Sequence, residues 1–425
     1  MPRNMKNSNV DWIGDIPAHW GVTRTKAAYT HKKRIVGSEA DNYERLALTL
    51  NGVIKRSKDD STGLQPEAFN GYQVLRQNEL VFKLIDLENV ATSRVGYSPY
   101  TGIVSPAYIV LCPRQENESR FGEYFFLSLW HREIFNHMGD DGVRSSLNAS
   151  DLLNVPYLTV PDEEKDAIVA FLDKKSLEIN SVIDKTRATI DEYKKLKQAI
   201  VFSAVTKGIR GNRDMKESGV AWLGAIPKEW KSYRIANLYD ERSESGLEEL
   251  PILTVSINSG VSDYEIADED KDRVFVRSED RTKYKRVYPG DLAYNMMRAW
   301  QGAFGAVRVD GMVSPTYVVA KPKPGVQLDS RYMEALLRTP AAIEEMHRYS
   351  RGIVDFRLRL YWPEFKNIRI CLPPLEEQME IADYIDQKSA ELDALIAKKE
   401  QFLAELENYK KSLIYEYVTG KKEVQ

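Results

Sequence analysis

The sequence predicts a mixed α/β protein with a duplicated plan: two globular domains in tandem, each followed by a long α-helix. A tryptophan-containing segment occurs twice, as SNVDWIGDIPAHW (Ser8–Trp20) and SGVAWLGAIPKEW (Ser218–Trp230), 210 residues apart. Such self-similarity at a fixed spacing is the signature of an internal repeat. We therefore expect domain 1 over residues 1–160, helix 1 over 161–208, domain 2 over 209–373 and helix 2 over 374–425.

The duplication continues through the strand-like segments that follow each tryptophan pair. Runs of β-branched and aromatic residues after Gly or Ser-Pro predict a turn followed by a strand. The matching pairs are Leu48–Val53 with Val255–Val261, Tyr72–Leu84 with Tyr284–Met296, and Gly102–Pro113 with Gly311–Pro322. Between these anchors the two halves differ in sequence and length, which predicts one scaffold with different insertions.

Each half ends in a long segment without Gly or Pro. Pro161 and Pro374 precede these segments, and Gly208 and Gly420 follow them, which is the punctuation typical of helices. A helix of this length would measure roughly 70 Å, and its narrow apolar stripe requires a partner helix. Two helices that each lie on their own domain remain an alternative, but we favour an antiparallel coiled coil with pseudo-two-fold symmetry. The predicted helix-pairing residues are Leu172, Ile179, Ile183, Ile190, Tyr193, Ile200, Ile385, Leu392, Ile396, Leu403, Leu406 and Leu413.

The composition indicates a globular protein of several domains, with 425 residues and a net charge of −3. Two cysteines in so long a chain favour a reducing compartment over a disulfide scaffold. With no apolar segment of signal-peptide or membrane-spanning length, we expect a cytoplasmic location. The net charge does not exclude nucleic acid, because binding needs only a local stripe of Lys and Arg.

Catalytic motifs are missing from the sequence: we find no Gly-rich phosphate loop, no HExxH and no GxSxG. The SPAY and SPTY segments (Ser105–Tyr108 and Ser314–Tyr317) only faintly echo an amino-methyltransferase motif, and a turn into a strand is the better interpretation. Asp162, Asp173 and Lys175 match a nuclease pattern, but they lie on one predicted helix. The five histidines show no metal-ligand spacing. We therefore predict no catalytic residue and no metal site.

Several loops combine Arg, Lys, Asn and Gln, the side chains that suit nucleic acid. Arg can bond guanine O6 and N7 together, Asn or Gln can do the same to adenine, and nearby lysines can hold phosphates. An ordinary solvated surface role is the alternative for each residue alone. The candidate DNA-binding residues are Asn51, Lys83, Arg94, Arg144, Ser145, Asn258, Asn295, Arg298, Gln301, Arg351 and Arg357.

The chain resembles the specificity (S) subunits of type I restriction–modification systems over essentially its full length. The resemblance rests on DWIGDIPAHW and AWLGAIPKEW, on the two SPxY strands, and on LPPLEEQ at the start of the second helix (Leu372–Gln378). The first helix departs from this pattern, with Asp162 in place of Leu375 and Lys165 in place of Gln378. Neither change disturbs the heptad row.

The resemblance implies a non-catalytic subunit with two target-recognition domains. Each domain would read one half of a bipartite, asymmetric sequence in double-stranded DNA, and the helices would set the gap. Two methyltransferase (M) subunits would dock on the chain and methylate adenine N6 with S-adenosylmethionine. Motor-nuclease (R) subunits would bring ATP and Mg. No cofactor would be bound by this chain.

Two other functions remain open. A stand-alone nuclease or methyltransferase is disfavoured by the missing motifs. A coiled-coil interaction scaffold that never contacts DNA would differ from our interpretation by the absence of salt-dependent DNA binding.

Overall fold

The structure, a computed structural model, describes residues 3–60, 68–85, 93–115, 117–138, 146–265, 281–352 and 358–424. The chain forms two compact units. Unit 1 contains residues 1–187 and 400–425, and unit 2 contains residues 188–399. Because these boundaries fall inside the two long helices, each unit consists of one α/β domain and one segment of each helix.

The domain of unit 1 is built from short strands and three short helices. Among the described residues, the strands are β1 (Met5–Asn7), β2 (Asp15–Pro17), β3 (Gly21–Arg24), β4 (Tyr29–His31), β5 (Arg45–Thr49), β6 (Gly52–Arg56), β7 (Gln73–Leu75), β8 (Leu80–Phe82), β9 (Val95–Tyr97), β10 (Gly102–Val104), β11 (Ile109–Pro113) and β12 (Pro156–Thr159). The helices are α1 (Thr25–Ala28), α2 (Glu118–His131) and α3 (Ala149–Asn154), and the long helix α4 (Asp162–Lys207) follows.

Two four-stranded sheets pack face to face in this domain. The first has the order β4-β11-β8-β9 and the second the order β6-β5-β10-β7. Val81 and Val110 of the first sheet pack against Leu46, Leu48 and Val104 of the second. The other face of the first sheet packs against α2 and against segments of the long helices. Unit 1 is therefore layered as helices, first sheet and second sheet.

Unit 2 repeats this order of elements. Among the described residues, its strands are β13 (Met215–Glu217), β14 (Ala225–Pro227), β15 (Lys231–Arg234), β16 (Tyr239–Arg242), β17 (Val255–Ser256), β18 (Gly260–Val261), β19 (Lys285–Val287), β20 (Leu292–Asn295), β21 (Phe304–Ala306), β22 (Gly311–Val313), β23 (Tyr317–Pro322) and β24 (Arg369–Leu372). Its helices are α5 (Ile235–Leu238), α6 (Ser330–Leu337), α7 (Pro340–Tyr349), α8 (Trp362–Phe365) and α9 (Leu375–Val418).

The strand order confirms the predicted duplication. The sheet β16-β23-β20-β21 of unit 2 is the counterpart, strand for strand, of β4-β11-β8-β9 in unit 1. The parallel pairing of Ile103 with Arg45 in unit 1 recurs as the pairing of Met312 with Ile252 in unit 2. Helix α7 follows α6 as the short 3-10 helix Ile134–His137 follows α2 in unit 1, so the two halves differ there in the type and length of the helix.

The two long helices begin and end at the predicted punctuation. Helix α4 begins one residue after Pro161, and α9 begins one residue after Pro374. Gly208 and Gly420 adopt left-handed φ values of 73° and 69° after the helices, a conformation that glycine favours at a helix end. A Cβ atom on Gly420 would lie 2.5 Å from Pro17. The close approach of helix end and domain therefore requires glycine there.

Within each unit, the segments of the two helices run antiparallel. In unit 1, Lys410 donates to Asn180 at 2.9 Å, and Arg187 pairs with Glu407 at 3.2 Å. In unit 2, Lys197 pairs with Asp393 at 2.6 Å. Of the residues predicted to pair the helices, those buried are Leu172, Ile179, Ile183, Ile190, Ile385, Leu392, Ile396 and Leu413, and those half-buried are Tyr193, Ile200, Leu403 and Leu406.

The repeated tryptophans attach each domain to the first turn of the helix that follows it. Trp20 and Trp230 are both fully buried. The indole nitrogen of Trp20 donates to Glu164 at 3.1 Å, and that of Trp230 donates to Glu377 at 3.4 Å. The same carboxylates pair with Arg3 and with Arg213, respectively. The tryptophan segment thus recurs because each domain needs the same anchor on its helix.

None of the helices in the described ranges combines the length and the hydropathy that a membrane span requires.

Candidate nucleic-acid interface

Several of the candidate residues lie at one end of the first sheet in each unit. In unit 2, this end is formed by Asn295, the last residue of β20, and by Tyr317, which pairs with it across the β20–β23 ladder. In unit 1, Phe82 pairs with Ile109, and the same register places Lys83 across from Tyr108. We call this region of each domain the loop end, because the chain leaves the sheet there in loops that differ between the halves.

A second segment of the chain returns to the loop end in both units. The backbone N–H of Leu147 donates to the carbonyl of Leu84 at 3.0 Å, and that of Leu360 donates to the carbonyl of Met296 at 2.8 Å. These contacts bring the segments after residues 139–145 and 353–357 to the same place in each domain. The candidates Arg144, Ser145 and Arg357 belong to those two ranges and lie outside the described residues.

The loop after β20 carries three candidates in a compact turn. The Oδ1 atom of Asn295 accepts from the backbone N–H of Met297 at 3.0 Å, which fixes the start of the turn and accounts for the burial of Asn295. Gln301 is exposed and Arg298 is half-buried. Within the described ranges, the side chains of Arg298 and Gln301 make no hydrogen bond or ion pair. Both are therefore available to a ligand at the loop end.

Trp300 stabilises this turn through a hydrogen bond and a ring contact. Its indole nitrogen donates to the Met297 carbonyl at 3.0 Å, and its ring lies 5.6 Å from that of His347 on α7. Arg351 pairs through its backbone with Arg359, directly before Leu360. Its side chain is 74% exposed and pairs with Glu364. Arg351 is thus close in sequence to the segment that reaches the loop end, with its charge partly neutralised.

Arg94 is the candidate whose position differs most from expectation. It is fully buried, and its guanidinium donates to the carbonyl of Ile85 at 3.2 Å. The backbone N–H of Lys83 donates to the carbonyl of Arg94, and in unit 2 the backbone N–H of Asn295 donates to the carbonyl of Ala303. Ala303 is therefore the counterpart of Arg94 in unit 2. In this conformation the Arg94 guanidinium faces protein, so a base contact would require the side chain to leave its site.

Asn51 and Asn258 occupy a different place, the tips of the equivalent hairpins β5–β6 in unit 1 and β17–β18 in unit 2. Both residues are exposed. The carbonyl of Asn258 accepts from Arg338 at 2.6 Å, and the backbone N–H of Asn51 donates to the Thr49 hydroxyl at 3.2 Å. The structure places these two asparagines in equivalent turns and does not bring them to the loop end.

Arginine side chains influence one tyrosine hydroxyl at each loop end. Burial raises the pKa of Tyr317, and the positive charge of Arg298 opposes that rise. Burial, together with the neighbouring Tyr72, raises the pKa of Tyr108, while Arg45, Arg56 and Arg94 oppose it. A phosphate approaching the Tyr317 hydroxyl would therefore lie close to the positive charge of Arg298.

Tyr108 and Tyr317 were not among the candidates from sequence. Their SPxY segments predict a turn into a strand, which the structure confirms, but the repeat of the tyrosine itself was a further signal. An exposed polar group that recurs in both halves of a duplicated scaffold can indicate shared contacts.

Among the described residues, no group of three His, Cys, Asp or Glu side chains is arranged to hold a metal ion. A cavity of about 1010 Å³ lies in unit 2 beside the helix segments. Its charges are largely paired with each other, as in Lys197–Asp393 and Arg338–Glu334.

Comparison with known proteins agrees with the resemblance seen in the sequence. A putative type I restriction enzyme specificity subunit, MjaX from Methanocaldococcus jannaschii, is 20% identical over 96% of this chain and 95% of its own length. No family model matches the chain.

A solved structure has the same fold. A chain from a structure on the complex assembly and conformational transition of a type I R-M system aligns with a TM-score of 0.66 and 16% identity, covering 96% of this chain and 99% of that one. The HsdS subunit from Thermoanaerobacter tengcongensis aligns over 96% of this chain and 98% of its own, with a TM-score of 0.48 and 16% identity. The chain is thus similar in sequence to a putative type I specificity subunit, and it shares the mixed α/β fold of the chain from the type I R-M structure.

Proposed function

We propose that this chain, a relative of type I specificity subunits, is the DNA sequence-recognition subunit of a type I restriction–modification complex. The observation that carries the proposal is the pair of loop ends. One scaffold is built twice with the same strand order, and each copy presents divergent loops at the same end of its first sheet. Arg298 and Gln301 are available side chains there. Arginine and glutamine are the side chains that discriminate base edges.

The two domains would read the two halves of a bipartite, asymmetric target. Because the scaffold is shared, both domains can approach duplex DNA in the same manner. Because the loops differ, with α7 and Trp300 supporting the loop in unit 2, the two half-sites can have different sequences. Side chains in the loops would contact the base edges, and phosphate contacts would set the position of each domain along the duplex.

Two methyltransferase subunits would dock on the conserved parts of the chain, and motor-nuclease subunits would join them. The paired helices retain exposed apolar side chains although their facing stripes are buried. In unit 1 these include Leu177, which is 75% exposed, Phe402 and Tyr409, and in unit 2 they include Leu196 and Leu395. Apolar side chains left exposed on a helix pair suit a protein interface.

The chemistry would belong to the partners. S-adenosylmethionine would be bound by the methyltransferase subunits, and ATP with Mg by the motor-nuclease subunits. The adenine to be methylated would be flipped out of the duplex into a methyltransferase pocket. This chain would therefore be non-catalytic, and it would act in the cytoplasm, where bacterial and archaeal DNA lies.

The competing function is a coiled-coil scaffold without DNA binding. The antiparallel helix segments would serve both functions, so they do not discriminate. The available Arg298 and Gln301 at the loop end of unit 2 favour DNA recognition, because a scaffold gives no reason to expose these two side chains beside divergent loops.

A genome-wide map of N6-methyladenine tests the proposal. A methylation-free bacterium receives this gene with its neighbouring methyltransferase gene, and the control strain lacks only this gene. We expect a split motif of two short half-sites around a fixed gap in the first strain alone. An Arg298→Ala variant should alter only one half-site. If the proteins co-purify and no motif is found, the scaffold function is the correct one.

A further inference from the structure

The two SPxY tyrosines are presented identically although the surrounding loops differ. The backbone N–H of Tyr108 donates to the Ser105 carbonyl at 3.1 Å, and that of Tyr317 donates to the Ser314 carbonyl at 2.9 Å. In each turn the serine hydroxyl also accepts from the backbone N–H two residues later, on Ala107 at 3.3 Å and on Thr316 at 3.4 Å. Tyr108 and Tyr317 are both half-buried.

Different side chains hold the two tyrosines in the same way. In unit 1, the amide of Gln73 donates to the Tyr108 carbonyl at 2.6 Å. In unit 2, the equivalent position is Lys285, whose ammonium donates to the Tyr317 carbonyl at 2.8 Å. An amide thus fixes the backbone of one tyrosine and an ammonium group fixes the backbone of the other. Because two different side chains produce the same arrangement, we infer that the position of the tyrosine itself is important.

The hydroxyls are not used by the protein itself. Within the described ranges, neither hydroxyl makes a hydrogen bond, and neither is among the buried polar atoms that lack a partner. Each hydroxyl therefore contacts solvent while its ring packs against the apolar cluster between the two sheets. Arg298 lies near one hydroxyl, and Arg45, Arg56 and Arg94 lie near the other. Of these three, Arg56 pairs with Asp60 at 2.7 Å and Arg94 donates to the Ile85 carbonyl at 3.2 Å.

A core tyrosine would bury its hydroxyl or pair it, as Tyr29 does with the carbonyl of Glu118 at 2.7 Å. Tyr108 and Tyr317 instead combine an anchored ring, a free hydroxyl and positive surroundings. That combination suits an anionic oxygen, and DNA offers such oxygens at every nucleotide.

We propose that the hydroxyls of Tyr108 and Tyr317 each donate a hydrogen bond to a backbone phosphate of the target DNA, one in each half-site. This inference rests on the proposed function. A contact that is the same in two domains cannot report two different sequences, so it sets the position of each domain on the duplex. The loops that differ between the domains carry the sequence information.

The test uses Tyr108→Phe and Tyr317→Phe in the full chain, with Tyr233→Phe as matched control. Tyr233 is also half-buried, but it lies on β15 in a separate two-stranded sheet. Each protein is expressed with the neighbouring methyltransferase subunit, and its affinity is measured for a duplex that carries the motif and for one that does not. Circular dichroism under the binding conditions establishes that each variant is folded.

We expect each variant to bind both duplexes about tenfold more weakly, the loss typical of one hydrogen bond to a charged group. The methylated motif should stay unchanged, and Tyr233→Phe should bind like the wild type. Unchanged affinity in both folded variants would overturn the inference, and so would a motif relaxed at one base. If the wild type itself gives no motif, the proposed function fails instead, so the two failures are distinguishable.

Discussion

The indole nitrogen of Trp20 donates a hydrogen bond to the carboxylate of Glu164 at 3.1 Å. Burial alone would raise the pKa of Glu164, but hydrogen bonds from His19 and Trp20 and the charge of Arg3 hold it below its ordinary value. The carboxylate is thus kept ionised in the first turn of α4, where it also suits the helix dipole. One residue therefore stabilises the helix start and the domain attachment together.

Removing this bond should loosen the attachment of domain to helix. Trp20→Phe loses the N–H donor and also shortens a fully buried ring system, so we expect a loss of at least about 2 kcal/mol in the free energy of unfolding, the amount typical of hydrogen bonds to charged groups, with a further contribution from the cavity. Urea denaturation of the full chain measures it. Trp12→Phe is the control, because Trp12 is only partly buried and its indole nitrogen has no hydrogen bond within the described chain. Equal losses in both variants would contradict the prediction.

The difference between Lys165 in helix α4 and its counterpart Gln378 in helix α9 has a structural explanation. Lys165 is buried in unit 1 and pairs with the buried carboxylate of Glu118, which also accepts from the Tyr157 hydroxyl at 2.9 Å. The equivalent residue in unit 2 is Gln378, whose amide donates to the Pro373 carbonyl at 3.0 Å. A lysine is accepted in the first helix because Glu118 neutralises it.

We expect Lys165→Gln alone to cost about 3 kcal/mol of stability, because it leaves Glu118 buried without its counter-charge. The double variant Glu118→Gln with Lys165→Gln should recover most of that loss, since it removes both charges and approaches the uncharged arrangement of unit 2. A double-mutant cycle by urea denaturation measures the coupling. Additive losses in the two single variants would show that the pair is not coupled.

The helices and the duplication could be predicted from sequence because their signals are local. Pro161 and Gly208 mark the limits of α4, and the recurring tryptophan segment reveals the repeat before any contact is known. The candidate DNA-binding residues are harder to assign from sequence, because sequence alone does not distinguish the environment of Arg94 from that of Arg298. Arg94 is buried and Arg298 is available. That difference arises from the sheet end and its packing, which only tertiary structure provides.

Long-range partners were equally invisible. The sequence around Lys165 does not indicate that Glu118 is its partner, and the sequence around Trp20 does not indicate Glu164. Each pair comes into contact only when the domain packs on the helix. Likewise, the tyrosines of the SPxY turns could be assigned to a turn from sequence. Their unpaired, solvent-contacting hydroxyls could not.

His131 should make the stability of unit 1 depend on pH. Burial, with the charges of Lys411 and Lys410, lowers the pKa of His131 to about 4. The pKa of His131 in the folded protein lies below the ordinary value of about 6.5. The uncharged imidazole therefore makes its full contribution to the free energy of unfolding above pH 6.5, and this contribution is lost as the pH falls toward 4. The loss should total on the order of 3 kcal/mol.

Thermal or urea unfolding of wild type and His131→Gln between pH 7 and pH 4 measures this effect. The wild type should lose more stability than the variant over that range, and His137→Gln, a change in the same domain, should follow the wild type. Parallel curves for wild type and His131→Gln would contradict the prediction.

The length of the two helices should set the gap in the recognised sequence. Helices α4 and α9 are each continuous, so seven residues inserted after Ile190 and after Lys399 add about 10.5 Å of helix to each. That length corresponds to about three base pairs of duplex at 3.4 Å per pair.

A seven-residue insertion also preserves the heptad pattern that buries the facing stripes, whereas four residues would shift it. We therefore expect the heptad variant to methylate a motif with the same two half-sites and a gap about three base pairs longer, as read from the methylome. The variant with four-residue insertions at the same two positions is the control and should lose methylation. An unchanged gap in an active heptad variant would show that the helices do not act as the spacer.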